Sequence, residues 1–425
     1  MRPPRLFGWW TILVYMSEET EVCIVGAGLA GLACARRLNL AKTAFVLLEA
    51  SDGAGGRVRT DSVDGFLLDR GFQVLQTAYP EAVRHFDYPA LDLKPFRPGA
   101  LVRTEGRFWT VGDPRRRPRD ALASLRAPVG SPADKARVAK LLRRVRSASV
   151  TELLNRPETT TIEALAGSGF SRSMIERFFR PLFAGIQLDG ELAASSRMFE
   201  FVFRMLADGD NAVPAGGMGA LPAQLASGLP GGALRLNAPV DAVTKGKVTL
   251  RDGAEVLARA VVVAAEAPAA TRLLGVPEPE SRAVSCYYFA AGEPPVDEPL
   301  LVLNGEGEGP VNNLAVMSNV APSYAPAGSA LVSASVLEPP SPSRGMAVRG
   351  QLRSWFGSAV DTWQHLRTYD IAHAQPDQSP PFPTERPVKV SDGLYIAGDH
   401  RNTSSIHGAL LAGRRAAEAV LADLR

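Results

Sequence analysis

The hexapeptide Gly26-Ala27-Gly28-Leu29-Ala30-Gly31 constrains this chain more tightly than any other feature. An apolar run at 21–25 precedes it and a helical pattern reaching residue 38 follows, so the order is strand, glycine turn, helix. In that order Gly26 permits the tight turn, Gly28 lets the backbone approach a pyrophosphate, and Gly31 lets the helix pack closely on the strand. Leu29 and Ala30 open the helix, whose N-terminus would face the phosphates. A second apolar run, 44–48, ends in Glu49-Ala50, with the acid 18 residues beyond Gly31. A carboxylate there accepts hydrogen bonds from ribose hydroxyls and repels a 2′-phosphate, which disfavours NADP. A purely structural glycine turn is the alternative.

The next segment bears on which dinucleotide is bound. Gly53-Ala54-Gly55-Gly56-Arg57-Val58-Arg59-Thr60 is followed by Asp64-Gly65-Phe66 and Asp69-Arg70-Gly71-Phe72-Gln73. Adjacent glycines at 55 and 56 leave room for a bulky cofactor, and Arg57 offers planar donors to phosphates or a ring, unless it is a surface arginine. The order GxGxxG, Glu, GGRxxT, DxG resembles the flavoprotein superfamily that contains amine oxidases, protoporphyrinogen oxidase and phytoene desaturases. The resemblance implies non-covalent FAD, with Gly71 and Phe72 beside it. The chain departs from that family at Gly53, where relatives commonly carry a charge.

The far end of the chain matches the same family. Residues 393–399, GLYIAGD, read as a strand ending in Gly398-Asp399, and 405–417, SIHGALLAGRRAA, open a helix. By resemblance, Asp399 reaches the ribityl-phosphate side of the flavin, and the helix start at Ile406, His407, Gly408 and Ala409 points at N1 and the C2 carbonyl. Backbone N–H groups there would stabilise negative charge near N1. His407 stands where several relatives have Glu, so its imidazole is a candidate donor near N1. His407 and Gln73 are the two candidate catalytic side chains; His85, His365, His373 and His400 are scattered and read mostly as structural.

Because the matching pieces lie at both ends, the expected fold is α/β: a discontinuous Rossmann-like FAD-binding domain of the glutathione-reductase type with an inserted α+β substrate domain. The expected division is an extension at 1–16, FAD-binding parts at 17–75, 214–280 and 386–425, a helical substrate part at 76–213, and a second substrate part of antiparallel sheet plus helices at 281–385. Residues 233–265 read as short strands returning to the FAD domain, where the resemblance puts the adenine at the backbone near Val240. Pro214-Ala215-Gly216-Gly217-Met218-Gly219 reads either as the family's glycine turn near the cofactor or as a structural turn. Val138, Leu141, Leu142 and Val145 keep helical spacing. Strands are expected within 283–290, 299–304, 312–320 and 329–337, and helices around 351–356 and 363–373. The phenylalanines at 178, 179, 183, 199, 201 and 203 divide between a core reading and a substrate-tunnel lining.

Composition excludes other classes. With 46% hydrophobic and 21% charged residues, the chain is not disordered, collagenous or a polytopic membrane protein. Cys23, Cys34 and Cys286 form neither a disulfide framework nor a metal-ligand spacing. They favour a reducing, cytoplasmic location, with an organelle not excluded, and no metal is expected. The apolar stretch 6–16 is too short to span a bilayer; a disordered or mis-started extension, an interfacial anchor and a targeting segment are its readings. Residues 97–146 carry fourteen Arg/Lys against four Asp/Glu, so +10 sits there and −7 on the rest of a +3 chain. That is a solvated helical face, or a surface for a peripheral contact with anionic lipid or for an acidic substrate. No nucleic-acid reader module accompanies it, and nucleic acid is not expected as a partner.

The resemblance implies an FAD-dependent oxidoreductase, dehydrogenase/desaturase or oxidase, taking hydride from a C–H bond to flavin N5. One full nucleotide fingerprint leaves no place for NADPH, so oxygen or a quinone is the expected acceptor. Residues 399–404 hold no aromatic where amine oxidases often place one, which favours an apolar small molecule of polyene, terpenoid or tetrapyrrole kind. An amine or amino-acid oxidase is the alternative, followed by an FAD-dependent non-redox isomerase and an idle scaffold.

Overall fold

The computed structural model describes residues 18–425, so the readings of residues 1–16 lie outside the described residues. The apolar run before the first glycine becomes the strand Glu18–Val25, buried over its last four residues. A strand covered on both faces suits a parallel sheet with helices above and below. Phe45–Leu48 lies on one side of it and Glu255–Val263 on the other, both parallel to it. Leu234–Arg235 extends the sheet past Phe45–Leu48. Glu255–Val263 pairs through its first half with Lys247–Leu250, itself in a hairpin with Val240–Thr244, and through its second half with Leu394–Ile396. Strands from widely separated stretches thus build one eight-stranded sheet.

Glycines set the packing of helices on this sheet. A Cβ on Gly31 would lie 1.9 Å from the carbonyl oxygen of Gly26, so only glycine allows the helix Leu29–Leu40 to sit that close to the turn before it. The C-terminal helix Ile406–Asp423 crosses it at Gly413, where a Cβ would stand 2.0 Å from the Ala30 oxygen.

A seven-stranded sheet forms the second layer system. In spatial order it runs Gln364–Pro376, Ser281–Ala291, Ala330–Val336, Val311–Val316, Leu301–Asn304, Gly99–Thr104, Arg107–Gly112. All pairs are antiparallel except Leu301–Asn304 with Gly99–Thr104. The helix Arg344–Phe356 packs on one face through Val348, Leu352 and Trp355. The helical stretch between residues 118 and 208 includes Pro132–Arg146, which carries the Val138 to Val145 spacing and starts on a capping box between Ser131 and Asp134.

Two stretches depart from expectation: Met317–Val320, within 312–320 read as strand, is a short helix after the strand Val311–Val316, and residues 363–373 are the second. Residues 363–373, read as helix, belong to the strand Gln364–Pro376 at the sheet edge. Its polar residues are mostly exposed, so no period of two shows in the sequence. It is fixed by pairing with Ser281–Ala291, and Tyr369 meets Tyr288 edge to face.

Candidate active site

The helix Leu29–Leu40 starts at Gly28 with no side-chain cap and no acid in its first turn. Its amide donors and positive dipole end are therefore uncompensated by the protein. Nothing lies within 4 Å of where a Gly28 Cβ would stand, so that end of the helix faces open space. Gly55 closes the side of this cradle, donating its N–H to the Ala27 carbonyl at 2.8 Å from a backbone φ of 123°. Glu49, at the end of the second strand, accepts from the Ala27 N–H at 2.8 Å through one oxygen. Its other oxygen accepts from the Ser51 N–H and hydroxyl, which fixes the carboxylate's direction.

From this cradle a cavity of about 1120 Å³ runs toward the seven-stranded sheet. Gly26, Gly28, Leu29 and Ala30 line it together with Glu49, Ala50 and Val240. Gly55, Gly56, Arg57, Gly71, Phe72 and Gln73 follow along one wall. Gly398, Asp399, Ile406 and Ala409 supply another. Residues more than 300 positions apart thus share one space.

Arg57 and Asp399 join those walls. The Arg57 guanidinium donates to Asp399 Oδ1 at 2.7 Å and to the Ala374 carbonyl at 2.6 Å. Burial works against the arginine's charge, but Asp399 more than offsets it and holds Arg57 above its ordinary pKa. Gln73 donates to the Arg57 and Arg70 carbonyls, while its Oε1 is buried without a protein partner. On the C-terminal helix, Ser405 accepts from the Gly408 N–H.

Three predicted contacts stand outside the lining. Gly31 is under the turn and Gly408 is pressed against the Thr403 carbonyl, where a Cβ would stand at 1.8 Å; both act as spacers. The His407 ring turns away from the cavity, so the reading of its imidazole as a donor near N1 is not supported by the geometry. It stacks on Tyr79 and packs at a tilt against Phe201, and its Nδ1 accepts from the Glu81 N–H at 3.3 Å. Burial lowers its pKa to about 4, leaving a neutral core histidine. His400 is likewise buried and pushed down to about 4, and its ring fills the space that a Gly398 side chain would need.

The 214–219 turn resolves on its structural side. Met218 N–H donates to Asp69 Oδ1 at 2.9 Å and Gly219 N–H to the Thr60 hydroxyl at 2.8 Å, away from the cavity lining. Asp69 also accepts from the Tyr324 hydroxyl, so a single buried carboxyl ties the hairpin Thr60–Val63/Phe66–Asp69 to the turn Pro322–Tyr324. Burial pushes its pKa up to about 6.

Away from the glycines the cavity wall changes character. Val129, Leu142, Met174, Leu182 and Met198 line it, with Phe178 and Phe203. The phenylalanine cluster divides: Phe179, Phe183, Phe199 and Phe201 are buried in the core, and Phe178 and Phe203 face the cavity. The acids in the lining are Glu49, Glu266 and Asp399 at the glycine end, and Asp113, paired with Arg115. The carboxamides of Gln187 and Gln378 also line it, each with a buried oxygen lacking a protein partner. The sequence carried no signal for these two or for Tyr79, because isolated glutamines and tyrosines lie in no recognisable motif.

An uncapped helix end, a glycine cradle and an acid fixed at the end of the second strand fit FAD, and the fold and site define a flavin-dependent oxidoreductase. The model of the flavin containing amine oxidoreductase family matches residues 29–421, and the chain belongs to that family. It is 39% identical to putrescine oxidase of Kocuria rosea over 74 residues, a match spanning 17% of this chain and only 16% of that protein. Among solved structures, a double mutant of putrescine oxidase superposes with a TM-score of 0.71 at 17% identity, covering 96% of this chain and 100% of that one. Cyclohexylamine oxidase from Brevibacterium oxydans gives 0.70 at 18% identity, over 95% and 99%. Reduced UDP-galactopyranose mutase gives 0.65 at 16%, over 95% and 96%. At such identities these likenesses speak for the fold alone.

Among the described residues, no helix is long and apolar enough to cross a membrane and no cluster of His, Cys, Asp or Glu is placed to hold a metal. All three cysteines are free and buried, with burial raising Cys23 and Cys34 to about 12 and Cys286 to about 11.

Proposed function

We propose that this chain binds FAD without a covalent link and oxidises a C–H bond of an uncharged, apolar small molecule, with oxygen or a quinone as final acceptor. The observation that carries this reading is the continuity of one cavity from the glycine cradle into an apolar chamber whose acids are confined to the cradle or paired. When bound, FAD supplies the hydride acceptor. The chain supplies position. The N-terminus of Leu29–Leu40 holds the phosphates, Glu49 takes the ribose, and the Arg57–Asp399 pair fixes the wall between nucleotide and chamber. The start of Ile406–Asp423 directs backbone N–H groups toward developing negative charge. Phe178, Phe203 and their aliphatic neighbours exclude water, and the neutral carboxamides of Gln73, Gln187 and Gln378 offer hydrogen bonds without charge. Away from the cradle the lining holds no histidine and its one carboxylate, Asp113, is tied to Arg115, which suits a hydride transfer whose accompanying proton is already labile. A non-covalent link is supported by the cysteines, none of which lines the cavity.

The amines named in two relatives favour a second reading, an amine oxidase. Anaerobic mixing separates the two. Flavin absorbance near ~450 nm should bleach with polyene or tetrapyrrole-type compounds and recover on admitting oxygen or a quinone. Bleaching by diamines or cyclic amines alone would overturn the apolar reading. Turnover without any acceptor would replace both with an isomerase of the kind the mutase likeness suggests.

A further inference from the structure

We infer that the cavity mouth is a docking face for an anionic lipid membrane, so that an apolar substrate enters the chamber from the bilayer. The inference rests on the apolar-substrate reading for its purpose, but the surface stands on its own observations. Leu122 and Leu125, 56% and 60% exposed, lie one turn apart on the helix Ala121–Arg126 and therefore share a face. The other large exposed apolar residues, such as Leu40 and Met346, are far from them in sequence and lie outside the cavity lining. Leu125 belongs to the lining, as do Ala121 from the same helix and Lys135, Val138 and Leu142 from Pro132–Arg146. The cavity thus reaches the surface beside the exposed Leu125, with half-buried Ala121, Val138 and Leu142 behind it.

Arg97, Arg115, Arg116 and Lys135 of the +10 stretch line the same cavity. Part of that charge is neutralised locally: Arg115 pairs with Asp113, Arg116 with Asp210, and Arg97 with Asp120 and Glu298. Arg119, Arg126, Lys140 and Arg143 remain exposed and have no carboxylate partner among the described residues. Two exposed leucines flanked in sequence by the unpaired Arg119 and Arg126 match an interface in which the acyl boundary takes the apolar side chains and anionic headgroups take the charges. A nucleic acid would use the cations but gain nothing from the leucines.

The test uses the full-length holoprotein and sedimentation with vesicles of phosphatidylcholine alone or mixed with phosphatidylglycerol. Binding is expected only with the mixed vesicles, weakening as salt is raised. Arg119→Glu and Arg126→Glu should each weaken it by about five-fold or more. Leu122→Glu with Leu125→Glu should abolish it, with an unchanged melting temperature because both side chains are exposed. Equal binding to neutral vesicles, no binding, or wild-type binding by the leucine double variant would overturn the assignment. So would tighter retention on duplex DNA than on mixed vesicles at the same ionic strength. None of these readings needs turnover, so failure of the docking face and failure of the apolar-substrate reading can be told apart.

Discussion

The two ends of the cavity are built from different material. At the nucleotide end the wall is largely backbone: turns, an uncapped helix start and glycines at positions where a Cβ has no room or would fill the space a ligand needs. At the substrate end it is side chain, drawn from helices and strands that share only apolarity and fit. A backbone-made site forces particular residues at particular spacings; a side-chain-made site accepts many solutions of similar volume. One end should therefore break at single atoms, and the other should yield by degrees.

The largest effect expected separates two glycines within the cradle itself. Gly31→Ala pushes a methyl to 1.9 Å from a backbone oxygen that cannot move without unmaking the turn, and no folded flavoprotein is expected. Gly28 has an ordinary φ of −68° and empty space around it. Gly28→Ala should fold, melt close to the parent and lack flavin, because the methyl occupies the place of the pyrophosphate. Circular dichroism with the ratio of flavin to protein absorbance reads both. Full flavin content in the Gly28 variant would mean that the phosphates lie elsewhere.

At the other end, two phenylalanines one helical turn apart on Ser196–Asp208 test the graded behaviour. Phe199 packs against Phe179 and Phe183 with ring centroids 6.1 and 4.7 Å away and is 1% exposed. Phe199→Ala should cost ~4 kcal/mol, read by urea denaturation. Phe203 faces the cavity, and Phe203→Ala should cost less than ~1.5 kcal/mol while changing which substrates bleach the flavin. Equal losses at both positions would place Phe203 in the core and shrink the chamber.

This contrast also explains what could be read in the sequence. The first strand, the glycine turn, Glu49, Arg57 and Asp399 were legible because phosphate and ribose chemistry leaves few residue choices. The antiparallel strands within 281–337 showed through their apolar and β-branched runs. Gln364–Pro376 was misread because an exposed edge strand needs no alternation: its partner Ser281–Ala291 fixes it, and that contact has no local signature. Gln187 and Gln378 were invisible for a related reason. Their significance is that a buried oxygen lacks a partner, and only the folded chain creates that circumstance. The resemblance located the start of Ile406–Asp423 but could not say which way each side chain turns.

His407 lies where the two kinds of construction meet, and its titration is the smallest of these effects. A ring donating near the flavin would be partly hydrated and free to protonate near its ordinary value of 6.5. A ring buried against Tyr79 and Phe201 stays neutral down to about 4. In the second case the unfolded chain takes up the proton first as pH falls, so the contribution to stability is whole above ~6.5 and lost between there and about 4. The shift corresponds to roughly 3 kcal/mol over that window. His400 titrates in the same direction and Asp69, raised to about 6, in the opposite one, so denaturation midpoints of the holoprotein should fall across the window on balance, and His407→Asn should flatten that slope partly. An unchanged slope in that variant would return the imidazole to the cavity and with it a protonatable group beside the flavin.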